Sequence, residues 1–257
     1  GIWGETGMPS AYAARANSAD ELPAVASEVG FPCIIRSDDV HCQRDIVIAR
    51  NEADARRVAA KCLFPAAVIT FVDVQGAWRA TGDETSLFSQ YHHKARAFVF
   101  GGEVKASHLF FSTDPIVGLS TSVFAREDTP RRNFIRRFGL GAHPVSRMIE
   151  ADLAYFEAPV AHADELVKAV AALGLDFAAV DYSILPDGRP VIWEANPHFY
   201  LPSGQQSVFS AERQAVRRVE ETFDWMAAQI QAEYARALSA GEDTANTAEP
   251  IQYAHFA

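Results

Sequence analysis

Leu175 to Pro197 reads LDFAAVDYSILPDGRPVIWEANP, and this stretch decides the fold. It divides into two short strands about a turn. Phe177 to Ile184 is apolar apart from Asp181, Tyr182 and Ser183, and Val191 to Asn196 is the returning strand. Pro186-Asp187-Gly188 supplies the turn, because proline presets φ and glycine accepts φ > 0. Side chains alternate faces along a strand, so Glu194 and Asn196 share one face. Pairing across the turn can bring Asp181 to that face. Two carboxylates and one amide oxygen then converge, a hard-oxygen set that suits Mg²⁺ completed by phosphate oxygens. The competing reading is a surface hairpin with scattered acids. Against it, Asp181 interrupts an apolar run and Glu194 lies between Trp193 and Ala195, where an ionised group is costly unless paired or metal-bound.

The chain has 257 residues, 49% hydrophobic and 22% charged, ample for a sizeable core in one large domain or two small ones. Its net charge is −10 and it carries no long basic stripe, which argues against nucleic acid as a partner. The short basic runs Arg131-Arg132 and Arg136-Arg137 read as a solvated helix face or an anion-binding wall. Cys33, Cys42 and Cys62 show no metal-ligand spacing; an odd number of cysteines implies reduced thiols and a cytoplasmic home. No apolar run approaches a membrane span and no signal peptide is visible.

Further along the chain, Ala19 to Val29 reads as a helix with a capping box from Ser18 and Glu21. Cys33 to Arg36 and Ile46 to Ala49 read as strands, and Glu52 to Cys62 as a helix capped by Asn51. Ala67 to Asp73 is expected to open the larger lobe as a strand. Lys94 to Phe100 and Glu103 to Phe111 form a hairpin through Gly101-Gly102. Phe111 to Pro144 has little periodicity and is the expected substrate loop. Ala161 to Leu173 is a helix ended by Gly174. Ala211 to Leu238 is a long amphipathic helix whose stripe of Val216, Val219, Phe223, Met226, Ile230 and Tyr234 is expected to pack in the core or between lobes.

Three of these segments together resemble the ATP-grasp superfamily. Asp181, followed after a turn by Glu194-Ala195-Asn196-Pro197, resembles its metal-binding end. Ser18 to Leu22, running on through Val29-Gly30-Phe31-Pro32-Cys33-Ile34-Ile35-Arg36, is similar to its helix, Gly-Phe-Pro turn and first strand of the nucleotide lid. Lys94-Ala95-Arg96-Ala97-Phe98-Val99-Phe100-Gly101-Gly102-Glu103-Val104 resembles its strand with an inward arginine and returning strand. The resemblance runs from about Gly7 to Leu238. It implies an α+β, ATP-grasp fold of two α/β lobes with the nucleotide site between them. The expected division is a smaller lobe over 1–65, a larger lobe with the metal site over 66–238, and a flexible acidic tail over 239–257.

By this resemblance, Asp181, Glu194 and Asn196 hold Mg²⁺, with Mn²⁺ an alternative, and ATP is the nucleotide. Arg96 is the catalytic cation. Arg36, where the family has lysine, and Lys94 cover phosphate charge; the alternative for each arginine is a structural ion pair. Thr70, Phe71 and Val72 form the connector that supplies backbone groups to adenine, and Asp73 is either a ribose contact or a surface cap. His198 is a candidate acid or base and His41 a candidate loop contact. The implied activity joins a small-molecule or peptide carboxylate to an amine or other nucleophile through an acyl phosphate. The rival expectation is a degenerate domain that binds nucleotide or a partner without turnover. Ser37 to Asp45 favours it, because the family's glycine-rich loop is replaced by a stretch holding no glycine and three aspartates. The family's N-terminal domain also has no counterpart before Gly7, which leaves a homodimer or a missing domain open.

Overall fold

The computed structural model describes residues 2–5, 7, 10–37, 46–78, 88–118, 121–122, 144–199 and 213–242. It is a mixed α and β structure built on two four-stranded antiparallel sheets. The first sheet contains β1 (Ala13–Ala16), β2 (Cys33–Ser37), β3 (Val47–Ala49) and β4 (Ala66–Thr70), in the order β1-β4-β2-β3. The second contains β5 (His92–Phe100), β6 (Glu103–Ser112), β7 (Phe177–Ile184) and β8 (Pro190–Asn196), in the order β6-β5-β7-β8. The helices are α1 (Ile2–Glu5), α2 (Leu22–Val29), α3 (Glu52–Ala59), α4 (Pro144–Glu157), α5 (Ala163–Ala172) and α6 (Arg213–Glu242).

The period-2 alternation of β2 sorts its side chains. Cys33 and Ile35 are buried with Leu22, Ala26 and Ala55 under α2 and α3. Ile34 and Arg36 face the other way, together with Ile69, the partner of Ile34 on β4. Asn51 caps α3 as expected, its Oδ1 accepting from Asp54 N at 2.9 Å. The capping box at α2 is displaced by one residue. Ser18 Oγ accepts from Glu21 N, but the Glu21 carboxylate reaches Asn17 N, and the helix proper starts at Leu22.

Two placements differ from the sequence expectation. The strand expected to open the larger lobe is β4, and it pairs with β1 and β2 in the first sheet. Its hydrophobic alternation is equally suited to either sheet, so only pairing decides. The N-terminal residues also reach the second sheet and the helix beneath it: Ser10 bridges to Ile192 of β8, and Trp3 Nε1 donates to Ala169 O of α5 at 2.8 Å.

The second sheet has two unlike faces. Ala95, Ala97, Val99, Leu109, Phe111, Val180 and Tyr182 lie under Met148 and Tyr155 of α4 and Leu166, Ala169 and Val170 of α5. Lys94, Arg96, Phe98, Ala179 and Asp181 stand on the opposite face by alternation. Phe98 and Ala179 there meet Met226, Trp225 and Phe199. The stripe of α6 is therefore only partly core. Phe223, Ile230 and Tyr234 are exposed, while Met226 is buried, because the helix lies across the sheet on its other side. The Ser239 to Ala257 tail continues helical to Glu242; its remaining residues, 243–257, lie outside the described residues.

Both outer strands of the second sheet change register at the same level. Arg96 pairs with His108 while Ala97 pairs with Ala106, so Ser107 is an extra residue in β6. Asp181 pairs with Glu194 while Tyr182 pairs with Ile192, so Trp193 is an extra residue in β8. A bulge switches the face of everything beyond it. Ile192 consequently belongs to the core, whereas Glu194, two residues later, stands beside Asp181.

Candidate functional site

A cavity of about 500 Å³ separates the two sheets. Its lining includes the apolar Ile34, Ile69, Phe71, Val72, Ile116 and Val117 and the charged Arg36, Lys94, Asp181 and Glu194. Phe71 and Val72 thus reach the cavity as expected, and no described residue accepts a hydrogen bond from Val72 N–H. Thr70 does not line it, because its N–H is committed to Tyr12 O at 2.8 Å in the first sheet. Asp73 is also outside the lining. Its Oδ1 accepts from Gln75 N at 2.8 Å and lies 3.3 Å from His92 Nε2, the turn-capping alternative rather than a contact in the cavity.

Asp181 is the electrostatic centre. It is 3% exposed. Its Oδ1 accepts from Arg96 Nε at 2.6 Å, and its Oδ2 from Lys94 Nζ at 2.8 Å and Arg96 Nη2 at 3.1 Å. Burial alone would raise its pKa. Lys94 and Arg96 outweigh burial and hold the carboxyl well below the usual range. Burial likewise opposes the Arg96 charge, and Asp181, with Glu194 behind it, more than restores it. Arg96 and Lys94 share a face as the two-residue period requires. Arg96 thus has Asp181 as an ion-pair mate, and it is not among the residues lining the cavity. Arg36 differs: among the described residues it has no ion-pair partner, and it projects into the cavity.

The register sets the three expected oxygen-bearing residues on neighbouring rungs of β7 and β8, Asp181 and Glu194 lining the cavity and Asn196 outside its lining. Asp181 and Glu194 are directly opposed, and Asn196 is opposed to Ala179, the next residue on the Asp181 face. Glu194 corrects the expectation of a buried acid: it is exposed, although it lines the cavity. Asn196 Oδ1 accepts from His198 N at 2.8 Å, so the backbone of His198 orients the amide while its side chain is exposed. Among the described residues no three His, Cys, Asp or Glu side chains cluster as a metal site. The donor chemistry fits a divalent ion, with one condition. Both Asp181 oxygens are already engaged, so Lys94 and Arg96 must find another anion before Asp181 can ligate.

Sequence reasoning missed His108. The bulge at Ser107 turns it onto the Arg96 face, and its Nδ1 lies 3.2 Å from Ser107 Oγ. Burial, then the neighbouring Arg96, bring its pKa down to about 3, so it is a neutral imidazole. Arg218 and Asp152 were also missed. Arg218 Nη1 donates to Asp152 Oδ2 at 2.8 Å, and Asp152 Oδ1 takes Leu109 N at 2.7 Å, tying α6 and α4 to β6. Neither pairing has a local sequence signal, since each joins residues more than 40 positions apart. His41, the glycine-free stretch beyond Ser37, Arg131-Arg132, Arg136-Arg137 and most of the expected substrate loop lie outside the described residues. No described helix is long and apolar enough to cross a membrane.

No family model matches the chain, and no curated protein matches it. Solved structures do. An ATP-grasp ligase, PsnB, complexed with a minimal precursor, Mg and ADP, is 13% identical with a TM-score of 0.46, over 89% of this chain and 56% of that one. A Chryseobacterium gregarium RiPP-associated ATP-grasp ligase, in complex with ADP and a leader and core peptide, is 10% identical with a TM-score of 0.46, over 89% and 57%. The ADP complex of purK, N5-carboxyaminoimidazole ribonucleotide synthetase, is 16% identical with a TM-score of 0.42, over 77% and 43%. The chain spans about half the length of these proteins. The protein is thus similar in structure to ATP-grasp ligases.

Proposed function

We propose that the chain is an ATP-grasp domain that binds a magnesium nucleotide between its two sheets and serves an ATP-dependent ligase. In this reading a carboxylate, of a small molecule or a peptide, is phosphorylated and then attacked by an amine or another nucleophile. The observation that carries it is the cavity itself, lined both by apolar side chains and by Arg36, Lys94, Asp181 and Glu194. A purine ring needs apolar walls and a backbone hydrogen bond, which Phe71 and Val72 can supply.

Each residue then has a role at a stated place. Arg36 approaches the phosphates from the first sheet, and Lys94 and Arg96 from the second. Asp181, Glu194 and Asn196 would hold Mg²⁺, which supplies neutralisation of phosphate charge when bound. Arg96, held by the cavity-lining Asp181, stabilises charge that develops on the transferred phosphoryl group. Low dielectric around the pair strengthens that effect.

A second reading, nucleotide binding without turnover, is favoured by one observation. Asp181 is fully occupied by its two cations, an arrangement stable without any ligand. Thermal shift with ADP, with and without Mg²⁺, tests nucleotide binding by either reading, because only a ligand of the native state raises the melting temperature. ADP release with a panel of carboxylates and amines then separates ligase from binder. If neither ATP nor ADP shifts the transition with Mg²⁺ or Mn²⁺, both readings fail.

A further inference from the structure

Tyr155 and Tyr182 are 9% and 2% exposed, in the core under the second sheet. Phenylalanine would fill such positions without the cost of desolvating a hydroxyl. The hydroxyls therefore need a reason. Tyr155 Oη lies 3.1 Å from Arg96 O and 3.0 Å from Tyr182 Oη. A carbonyl only accepts, so the Tyr155 hydroxyl donates to Arg96 O and receives the Tyr182 hydroxyl proton in turn. Burial keeps both phenols protonated, Tyr182 pushed up to about 12 and Tyr155 raised well above its ordinary value.

The place where this relay ends is specific. Arg96 O belongs to the rung at which β6 bulges, and a bulge interrupts the ladder locally. The carbonyl takes its extra partner from α4. Tyr182, the start of the relay, is the residue immediately after Asp181, where β8 bulges. Trp193, the extra residue of the β8 bulge, is also linked to β5. Trp193 Nε1 donates to Ser183 Oγ at 2.8 Å, and the Ser183 hydroxyl donates to His93 O at 2.6 Å. Side-chain hydroxyls thus reach the β5 backbone at His93 O and Arg96 O, on either side of Lys94.

We propose that the Tyr155 hydroxyl, which takes the Tyr182 proton and gives its own to Arg96 O, is a positioning device, fixing the Arg96 backbone so that its guanidinium meets Asp181 in one geometry. The proposal rests on the reading of Arg96 and Asp181 as phosphate- and metal-binding groups only for its consequence in binding. Its structural half stands on the relay alone. The two tyrosines are not equivalent in it. Tyr155→Phe removes the bond to Arg96 O and leaves Tyr182 without an acceptor. Tyr182→Phe leaves the bond from Tyr155 to Arg96 O intact.

The test uses the intact chain labelled with ¹⁵N-arginine. The Arg96 Nε–H, held at 2.6 Å from a carboxylate, should give a downfield, slowly exchanging signal, assigned by its loss in Arg96→Lys. Tyr155→Phe should move that signal and speed its exchange about tenfold; Tyr182→Phe should leave it nearly unchanged. Val160→Ala, a truncation in the same core cluster with no hydroxyl, controls for mere loss of stability. Mg²⁺-ADP affinity should fall about tenfold in Tyr155→Phe and little in the other two. An Arg96 signal unmoved in Tyr155→Phe, or moved as much by Val160→Ala, overturns the proposal. If wild type binds no Mg²⁺-ADP, the nucleotide reading fails and the arginine signal alone decides the relay.

Discussion

Arg96 and Asp181 face each other across β5 and β7, Nε to Oδ1 at 2.6 Å, on the one rung where both outer strands of the sheet bulge. The central strands keep register there, and the outer ones do not. The pair is therefore held by an unbroken ladder, while His108 and Glu194 are turned towards it from the flanks. A carboxylate 3% exposed is tolerable only because two cations satisfy it.

Removing one cation tests that balance. Arg96→Ala leaves Asp181 buried with Lys94 alone and should cost about 3 kcal/mol, the low end for breaking a buried pair. Urea unfolding monitored by tryptophan fluorescence measures it. Adding Lys94→Met and Asp181→Asn to Arg96→Ala should recover part of the loss, because that triple variant removes all three charges of the cluster. A triple variant no more stable than Arg96→Ala would show that the cluster is not the source of the cost.

The same engagement of Asp181 sets an order for metal binding. Mn²⁺ alone should bind poorly, since it must displace Lys94 and Arg96. With ADP present, phosphates take over those cations and Mn²⁺ affinity should rise at least about tenfold, roughly 1.4 kcal/mol. Electron paramagnetic resonance of free Mn²⁺ reads both arms. Glu194→Gln should abolish most of the metal-dependent rise in melting temperature. Equal Mn²⁺ affinity with and without ADP would show that the clamp guards nothing.

Arg36 should behave oppositely to Arg96. It has no described ion-pair partner, so Arg36→Ala should change stability by no more than about 0.5 kcal/mol. Nucleotide affinity should nevertheless drop, and Arg36→Lys should restore part of it as a point charge does. Calorimetry with Mg²⁺-ADP at low and high salt checks this. A stability loss comparable to that of Arg96→Ala would place Arg36 in a structural pair instead.

Acid should weaken the fold in two stages. His93 and His108 are both lowered to about 3, chiefly by burial. His93 Nε2 accepts from Ile184 N at 2.8 Å and needs its neutral form. A histidine near 6.5 when unfolded takes up a proton there while the folded one does not. Its contribution is thus present above pH about 6.5 and is lost as pH falls towards 3. Asp181, lowered in the fold, keeps its contribution above pH about 4 and loses it only below. His108→Gln should flatten the stability profile between pH about 6.5 and 4 and leave the lower limb intact. Parallel profiles over the whole range would mean that His108 titrates normally.

The sequence by itself determined the hairpins and the residues at their tips. Pro186-Asp187-Gly188 turns where turn chemistry dictates, with Gly188 at φ 87, and Gly101-Gly102 does the same between β5 and β6. These are local steric requirements, legible without knowing any neighbour. The pairing of Asp181 with Glu194 was legible for the same reason, because both sit on one hairpin. What the sequence did not contain was the partner of Asp181, the exposure of Glu194, or the sheet to which β4 belongs. An apolar alternating strand fits either sheet, and only cross-strand hydrogen bonding chooses. Nor do single extra residues announce themselves: Ser107 and Trp193 look like ordinary strand positions. Yet each reverses the face of the residues beyond it, sending Ile192 to the core and Glu194 to the cavity. Tertiary structure decided the chemistry at Asp181, because a buried carboxylate takes whichever cations the register of β5 presents, and that register is set by contacts more than 80 residues away in the chain.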